Sequence, residues 1–417
     1  MKKIFLKIIY IILSFFTRFY ISRTKPYVIW ITWSVWKTSC RMILFQILKK
    51  YLRDKEIYTS PKNFNSELGL IFSIFKIENY NPWFISLIKV TLKIIFNSLF
   101  FWKKYDLILL EYWVDHPNDM DFLLTIVKPN ISIFTKLDSI HIENFSTKRQ
   151  IWKEKFKLIK STKEKTYLNY DDEFLREKIS EIKIDIDFFN KWNLKFNYIK
   201  ELNNIFSEIY FDNKIIKTNI LWQENFTYIE LAFSILNNFL INNLDKNLYL
   251  ELKNQWWRFN IFSGLNNSLL IDSTYNAWFE SIKVMIENTR KLKSEILLDF
   301  KLWFVIWDMR ELWNFSEEEH KKLFNQFDDN DLLITVWKET KKYFPQNIKN
   351  FSSSKKAWLY LKGLLEKSKN KYLILFKWSQ NTIFIEEALK EVLLNRLDEK
   401  KLVRQDKSWM KKKKLFL

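Results

Sequence analysis

Runs of consecutive apolar residues alternate along this chain with segments whose apolar positions recur every three or four residues. "YVIWIT" (27–32), "DLILLEY" (106–112) and "NISIFT" (130–135) read as strands. They are followed by helical patterns near 37–52, 119–127 and 147–160. Beyond residue 250 the rhythm restarts, with "SLLIDS", "WFVIWD", "DLLITV" and "YLILF" each leading into a helix, over 279–292, 317–327, 356–367 and 383–394. Strands that are apolar throughout are buried on both faces, so the pattern predicts parallel sheets covered by helices. The stretch 161–220 is polar, Asn- and Lys-rich and less regular, and no internal repeat is visible. A length of 417 residues suits two domains of ordinary size.

Composition changes the reading of the loops. The chain has 19 Trp and 3 Gly, whereas average usage would give about 29 glycines at this length. Tryptophan also stands where strands turn into loops, in "FVIWDMRELWN", "ITVWKET" and "LFKWSQN". In "VIWITWSVWKTS" (28–39) an apolar strand runs into Lys37, Thr38 and Ser39, the usual end of a phosphate-binding loop that opens a helix. Glycine is needed in such a loop because backbone N–H groups close on phosphate oxygens with no Cβ in the way. This one carries Trp33 and Trp36. Most of the tryptophans are therefore read as glycines, as a UGA codon decoded as glycine but written as Trp would produce. The Lys-, Ile-, Asn- and Phe-rich composition fits an AT-rich genome in which such recoding occurs. Trp409, in "QDKSWMKKKK", is the position best left as tryptophan. The competing reading is a Trp-rich protein whose indoles fill a core or line a groove, and it leaves the turn placement unexplained.

A net charge of +20 is spread along the chain apart from "MKKKKLFL" at its end. It suits a solvated lysine-rich surface, an anionic membrane or an anionic substrate. Without a helix-turn-helix, zinc-finger or RNP-type signature, nucleic acid is not an expected partner. The single Cys40 excludes an intrachain disulfide and fits a reducing cytoplasm, as a buried helix residue. Residues 1–27 are basic and apolar, with a charge-free run from Ile8 to Thr17. That run is half the length of a membrane-spanning helix, and no small-residue cleavage site follows it. Two readings stay open: a helix on the inner face of the plasma membrane, or a helix packed on the domain that follows.

With glycine at 30, 33 and 36, the loop resembles that of the Mur ligase family: threonine, glycine, two residues, glycine, lysine and two hydroxyl residues. Other motifs carry the same resemblance, towards the branch that adds D-alanyl-D-alanine. They are "EYWVDHPNDMDFLLTIVKP" with Glu111, "TKLDSIHIENF" with His141, "RQIWKEKFKLIKST" with Lys155, and "SPKNFNSELGL" with Asn63, Asn65 and Gly69. Further along come "LWQENFTY" with Asn225, "WWRFNIF" with Arg258, "DSTYNAW" (272–278) and "WDMRELW" (307–313). The signature "DNPR" of the diaminopimelate-adding sibling is missing, and Glu224 stands where the family commonly has His.

The resemblance spans about residues 28–405 and implies a P-loop-type parallel-sheet ATP-binding domain over 28–253, then a Rossmann-like α/β domain over 254–417. It implies ATP and Mg²⁺ as cofactors, with UDP-MurNAc-peptide and D-Ala-D-Ala as substrates, in the cytoplasm. Trp33, Ser34, Trp36, Lys37, Thr38, Ser39, Asn225, Arg258 and Asp272 would bind ATP, and Thr38, Glu111 and His141 would hold metal. Lys37, His141 and Lys155 would serve catalysis, Lys155 as a carbamylated lysine, with Lys153 and Lys157 as alternative registers. Asn63, Asn65, Tyr275 and Asn276 would meet substrate. The family's UDP-gripping first domain has no counterpart in residues 1–27. Two rivals remain: a ligase of the same superfamily for another amino acid or a polyglutamate-type chain, and a non-catalytic, membrane-associated Mur-like scaffold.

Overall fold

A computed structural model describes residues 2–32, 36–60, 67–77, 84–100, 105–111, 119–136, 148–178, 185–191, 194–201, 204–241, 245–253, 260–274, 279–309, 312, 315–377, 384–405 and 407–414. Two compact units emerge: residues 1–195 with 224–246, and residues 196–223 with 247–417. In this division residues 1–27 fall in the first unit and residues 247–253 in the second.

The first unit begins with α1 (Lys2–Thr24), β1 (Tyr27–Thr32), α2 (Lys37–Tyr51), β2 (Ile57–Thr59), α3 (Glu67–Ile74) and α4 (Phe84–Phe100). It continues with β3 (Leu107–Glu111), α5 (Asp119–Ile126), β4 (Ile131–Phe134), α6 (Lys148–Ser161), β5 (Lys165–Asn169), α7 (Glu173–Lys178) and β6 (Ile186–Phe189). The strands form a six-stranded sheet in the order β2-β3-β1-β4-β5-β6, parallel throughout. β1 lies inside it because Val28, Ile29, Trp30 and Ile31 are all buried, as a strand covered on both faces must be. Leu13 and Tyr20 of α1 join the core of this unit, beside Ile94 of α4 and Leu123 of α5. This burial favours the packed-helix reading for the inward side of α1. Among the described residues no helix is long and apolar enough to cross a membrane.

The chain then forms β7 (Lys195–Glu201), β8 (Asn204–Phe211), β9 (Lys214–Thr218), α8 (Gln223–Asn237) and β10 (Asn247–Leu250). The strands make a four-stranded sheet, β10-β9-β8-β7, in which β8 and β9 are antiparallel. Tyr198 of β7 donates its N–H to Glu295 Oε2 at 2.9 Å and its hydroxyl to the Leu221 carbonyl at 2.7 Å. These contacts attach 196–223 to the second unit.

The remaining elements are β11 (Asn260–Ser263), β12 (Leu269–Ser273), α9 (Phe279–Ile296), β13 (Phe300–Trp307), α10 (Ser316–Phe324), β14 (Leu332–Val336), α11 (Lys338–Tyr343) and β15 (Lys349–Phe351). α12 (Ser354–Lys367), β16 (Lys371–Lys377), α13 (Ile385–Lys390) and α14 (Lys407–Lys413) close the chain. The sheet order is β11-β12-β16-β13-β14-β15, parallel except for the edge strand β11. Both large sheets are of the predicted α/β kind.

Candidate active site

The site grows from the carboxyl end of β1, where open parallel sheets bind ligands. Ile31 lies beside Glu111 of β3 and Thr32 beside Phe134 of β4, so Glu111 ends its strand level with the start of the β1–α2 loop. Trp36 precedes α2 in the left-handed conformation, φ 66° and ψ 1°, and its carbonyl accepts the Cys40 N–H at 3.0 Å. The first turn of α2 holds no carboxylate, and Lys37, Thr38 and Ser39 are all buried in it. A helix start of this kind presents backbone N–H groups and positive potential to an anion.

Thr38 Oγ1 donates to Glu111 Oε1 at 2.9 Å. The other carboxylate oxygen accepts from Arg41 Nε, also at 2.9 Å. Arg41, 1% exposed, donates in addition to Thr59 Oγ1 at 2.9 Å and to the Ser60 carbonyl. Thr59 Oγ1 in turn donates to the Leu109 carbonyl at 3.0 Å. A hydroxyl and a carboxylate side by side are the hard oxygen donors that Mg²⁺ takes, so this pair fits the metal. No group of three His, Cys, Asp or Glu residues gathers for a metal among the described residues. Cys40 is buried beneath this junction, and burial, then the Glu111 charge, pushes its thiol pKa well up.

α6 separates the three candidate lysines. Lys155 is fully buried, Lys153 is exposed, and Lys157 is paired with Asp121 at 2.6 Å and Glu154 at 2.7 Å. Of the three only Lys155 is buried, the setting in which a carbamylated lysine would sit. On α8, Asn225 is buried and its Oδ1 has no hydrogen-bond partner among the described residues. A buried amide oxygen left unsatisfied costs about 1–3 kcal/mol, and a ligand donor at that point would remove the cost. The same helix carries Glu230, whose carboxyl is pushed up to about 7 by burial, against the Asn190 N–H and Lys191 that favour its charged form.

In the second unit Asp272, the penultimate residue of β12, is fully buried. Its Oδ1 accepts from the Thr274 N–H at 3.0 Å and the Thr274 hydroxyl at 2.6 Å, while Oδ2 has no partner among the described residues. Burial pushes its pKa up to about 6. The adjacent Ser273 hydroxyl accepts from Lys377 Nζ of β16 at 3.0 Å. Asp308 accepts from the Glu339 and Thr340 N–H groups, at 2.9 and 2.8 Å, and so caps α11. His320 is held on both ring nitrogens by the backbone, a structural role: Met309 N–H donates to its Nε2 at 3.1 Å, and its Nδ1 lies 2.7 Å from the Ser316 carbonyl.

Of the expected site, the structure brings Lys37, Thr38 and Glu111 together and places Ser39, Lys155 and Asn225 as buried residues of the same unit, with Asp272 in the other. Trp33, Ser34, Asn63, Asn65, His141, Arg258, Tyr275 and Asn276 lie outside the described residues. Arg41 and Lys377 were not singled out from sequence. Arg41 carries one signal, a cation four residues after Lys37 and so on the same face of α2.

A central parallel sheet with a phosphate-loop helix start, followed by a second α/β unit, defines a class of nucleotide-binding α/β proteins. The Mur ligase middle domain matches residues 31–244, and the chain belongs to the Mur ligase family. It is 24% identical over 317 residues to the UDP-N-acetylmuramoyl-tripeptide–D-alanyl-D-alanine ligase of Borreliella burgdorferi, a match over 74% of this chain and 61% of that protein. The chain thus spans about three-fifths of the length of this curated relative. The MurF ligase of Thermotoga maritima, solved in complex with ADP, superposes with a TM-score of 0.68 at 21% identity, over 94% of this chain and 84% of that one. MurF from Acinetobacter baumannii gives 0.68 at 17% identity, over 91% and 79%.

Proposed function

We propose that this chain is an ATP-dependent amide ligase that joins D-Ala-D-Ala to a UDP-MurNAc-peptide in the cytoplasm. The observation that carries the reading is the Thr38–Glu111 pair at the start of α2, next to buried Lys37. The names of the Borreliella relative and the ADP-bound Thermotoga ligase support the choice of nucleotide and acceptor. In this reading the peptide carboxylate attacks the γ-phosphorus of ATP and ADP leaves. The amine of D-Ala-D-Ala then attacks the acyl carbon, phosphate departs and the amine loses its proton. Lys37 holds the transferring phosphoryl group by charge, which is how such transfers are catalysed. Thr38 and Glu111 would hold Mg²⁺, which when bound screens the phosphate charges. Buried Lys155, as its carbamate, would supply a further carboxylate-like ligand, and Asn225 would contact the adenine.

The reading requires glycine at 33 and 36, and backbone conformation supports that requirement at position 36. Trp36 has φ 66°, and Trp337, at the start of α11, has φ 113° with ψ −171°. A residue with a Cβ pays about 1–2 kcal/mol in the left-handed region, and the region of Trp337 belongs essentially to glycine. Most of the other positive-φ positions are Asn, Asp, Lys or Arg. Trp30 and Trp307 lie within strands, where the backbone makes no such demand.

The test is ADP release by the chain with glycine at the Trp positions other than 409, given ATP, Mg²⁺, UDP-MurNAc-tripeptide and D-Ala-D-Ala. Release should require both acceptor substrates, and Lys37→Ala should lower kcat by at least about 10²-fold, the scale of one preorganised electrostatic contact. Release driven instead by glutamate or a single amino acid would assign the chain to another branch. No turnover with any acceptor would leave the scaffold reading.

A further inference from the structure

α1 and α4 pack against each other over the core of the first unit, and each buries one face in it. On α1 the inward face carries Ile9, Leu13 and Tyr20; on α4 it carries Leu87, Thr91, Ile94 and Ser98. Each helix has a second stripe pointing the other way, and these outward stripes are also apolar. Ile8, Ile11 and Phe15 on α1, and Leu92, Phe96 and Phe100 on α4, are each more than half exposed. Their spacing of three or four residues places each set along one side of its helix. Because both helices lie on one core, the two stripes share the outer side of one helical layer. Arg23 of α1 ties the layer together by donating to the Leu99 carbonyl of α4 at 2.8 Å.

The charge around this face has one sign. Neither α1 nor α4 contains an acidic residue. Lys89 and Lys93 flank the α4 stripe and Arg18 flanks the α1 stripe, all three exposed. Arg18 also lines a depression of about 770 Å³ below the amino ends of β1 and β3. Lys25, Lys55, Lys128 and Lys163 line it too, with Asp106 its single carboxylate. An outward apolar stripe bordered by cations is the pattern of a helix lying in the headgroup region of a bilayer. An acidic protein groove has no need of six large apolar side chains facing outward. A second copy of the chain is disfavoured, because a two-fold interface would set this cationic face against itself.

We propose that α1 and α4 together form a docking face for the surface of a bilayer rich in anionic phospholipid, with the cationic depression beside α1 receiving the headgroup phosphates. The bilayer is touched and not crossed, and the face is independent of the ligase reading, so either can fail alone.

The experiment is sedimentation of the full chain with vesicles of phosphatidylcholine, alone or with one quarter phosphatidylglycerol. The chain should pellet with the anionic vesicles at low salt, pellet less as salt rises, and stay in the supernatant with the neutral ones. Ile11→Gln/Phe15→Gln/Leu92→Gln/Phe96→Gln should cut partitioning by at least about 10²-fold, since each side chain loses much of its burial energy. Lys89→Gln/Lys93→Gln should cut it by about 30-fold. Both variants change exposed positions, so thermal melts should match those of the parent. Equal binding by parent and apolar-face variant would overturn the proposal, as would equal binding to neutral and anionic vesicles, or no pelleting at low salt. A concentration-dependent dimer that the apolar-face variant abolishes, without vesicle binding, would assign the face to a second copy instead.

Discussion

Replacing Arg41 by methionine keeps most of the side-chain volume and removes the charge. In the folded chain Arg41 is 1% exposed and the Glu111 side chain 10% exposed, with 2.9 Å between Nε and Oε2. Removing one partner of a buried pair leaves the other charge without its counter-ion, which costs about 3–5 kcal/mol. The Thr59 hydroxyl and the Ser60 carbonyl lose a donor in the same step, so the upper half of that range is expected. At about 2–4 °C per kcal/mol for a unit of this size, melting should fall by about 8–20 °C. Arg41→Met/Glu111→Gln removes the orphaned charge as well and should recover at least about 1.5 kcal/mol of the loss. Urea denaturation of the wild type, both single variants and the double variant, followed by circular dichroism, gives the coupling directly. A cost below about 1 kcal/mol for Arg41→Met, or additivity within about 0.5 kcal/mol, would refute the view that this pair holds α2 to β3.

Peptide mass spectrometry of the protein from its native cell should show glycine at 33, 36, 113, 257, 307 and 337; tryptophan at 36 or 337 would contradict the backbone argument directly. Asp272 has its carboxyl pushed from 3.8 up to about 6. The folded state therefore holds that proton more tightly than the unfolded chain. Stability from this group is present in full below pH 3.8 and is lost as pH rises through about 6. Without nucleotide, the melting temperature of the second unit should fall across that window in the wild type and less in Asp272→Asn. Parallel curves for the two would count against the burial of this carboxyl.

The inner strands β1, β3, β4, β12, β13, β14 and β16 were legible because each is an apolar run leading into a helical pattern. By contrast β2, β5, β6, β11 and β15 are short or carry polar residues, as "KTYLN" and "KNF" show, and were not read. β7 reads "KFNYIKE", with lysines on its exposed positions and Phe196 and Tyr198 buried, so mean hydropathy concealed it and the polar stretch looked irregular. α4 was not predicted because "FISLIKVTLKIIFNSLF" is apolar on its outward side too, which erases the two-sided contrast a helix in water normally shows. Lys37, Thr38 and Glu111 could be named because loop and strand-end chemistry is local. The role of Arg41 could not, since Glu111 lies 70 positions away and only the β1–β3 register brings them together. Asp308 illustrates the converse: its motif was visible, and its place as the cap of α11 required the fold.

Cys40 gives this chain a built-in chemical reporter. The only thiol in 417 residues sits fully buried in α2, at the junction of that helix with Glu111 of β3. A thiol reagent can reach it only when that junction opens, so the modification rate measures how often the loop and helix part from the sheet. A ligand that binds the closed junction slows the reaction by the factor 1 + [L]/Kd. Affinity for nucleotide can thus be read from an unlabelled chain, even if it never turns over a substrate.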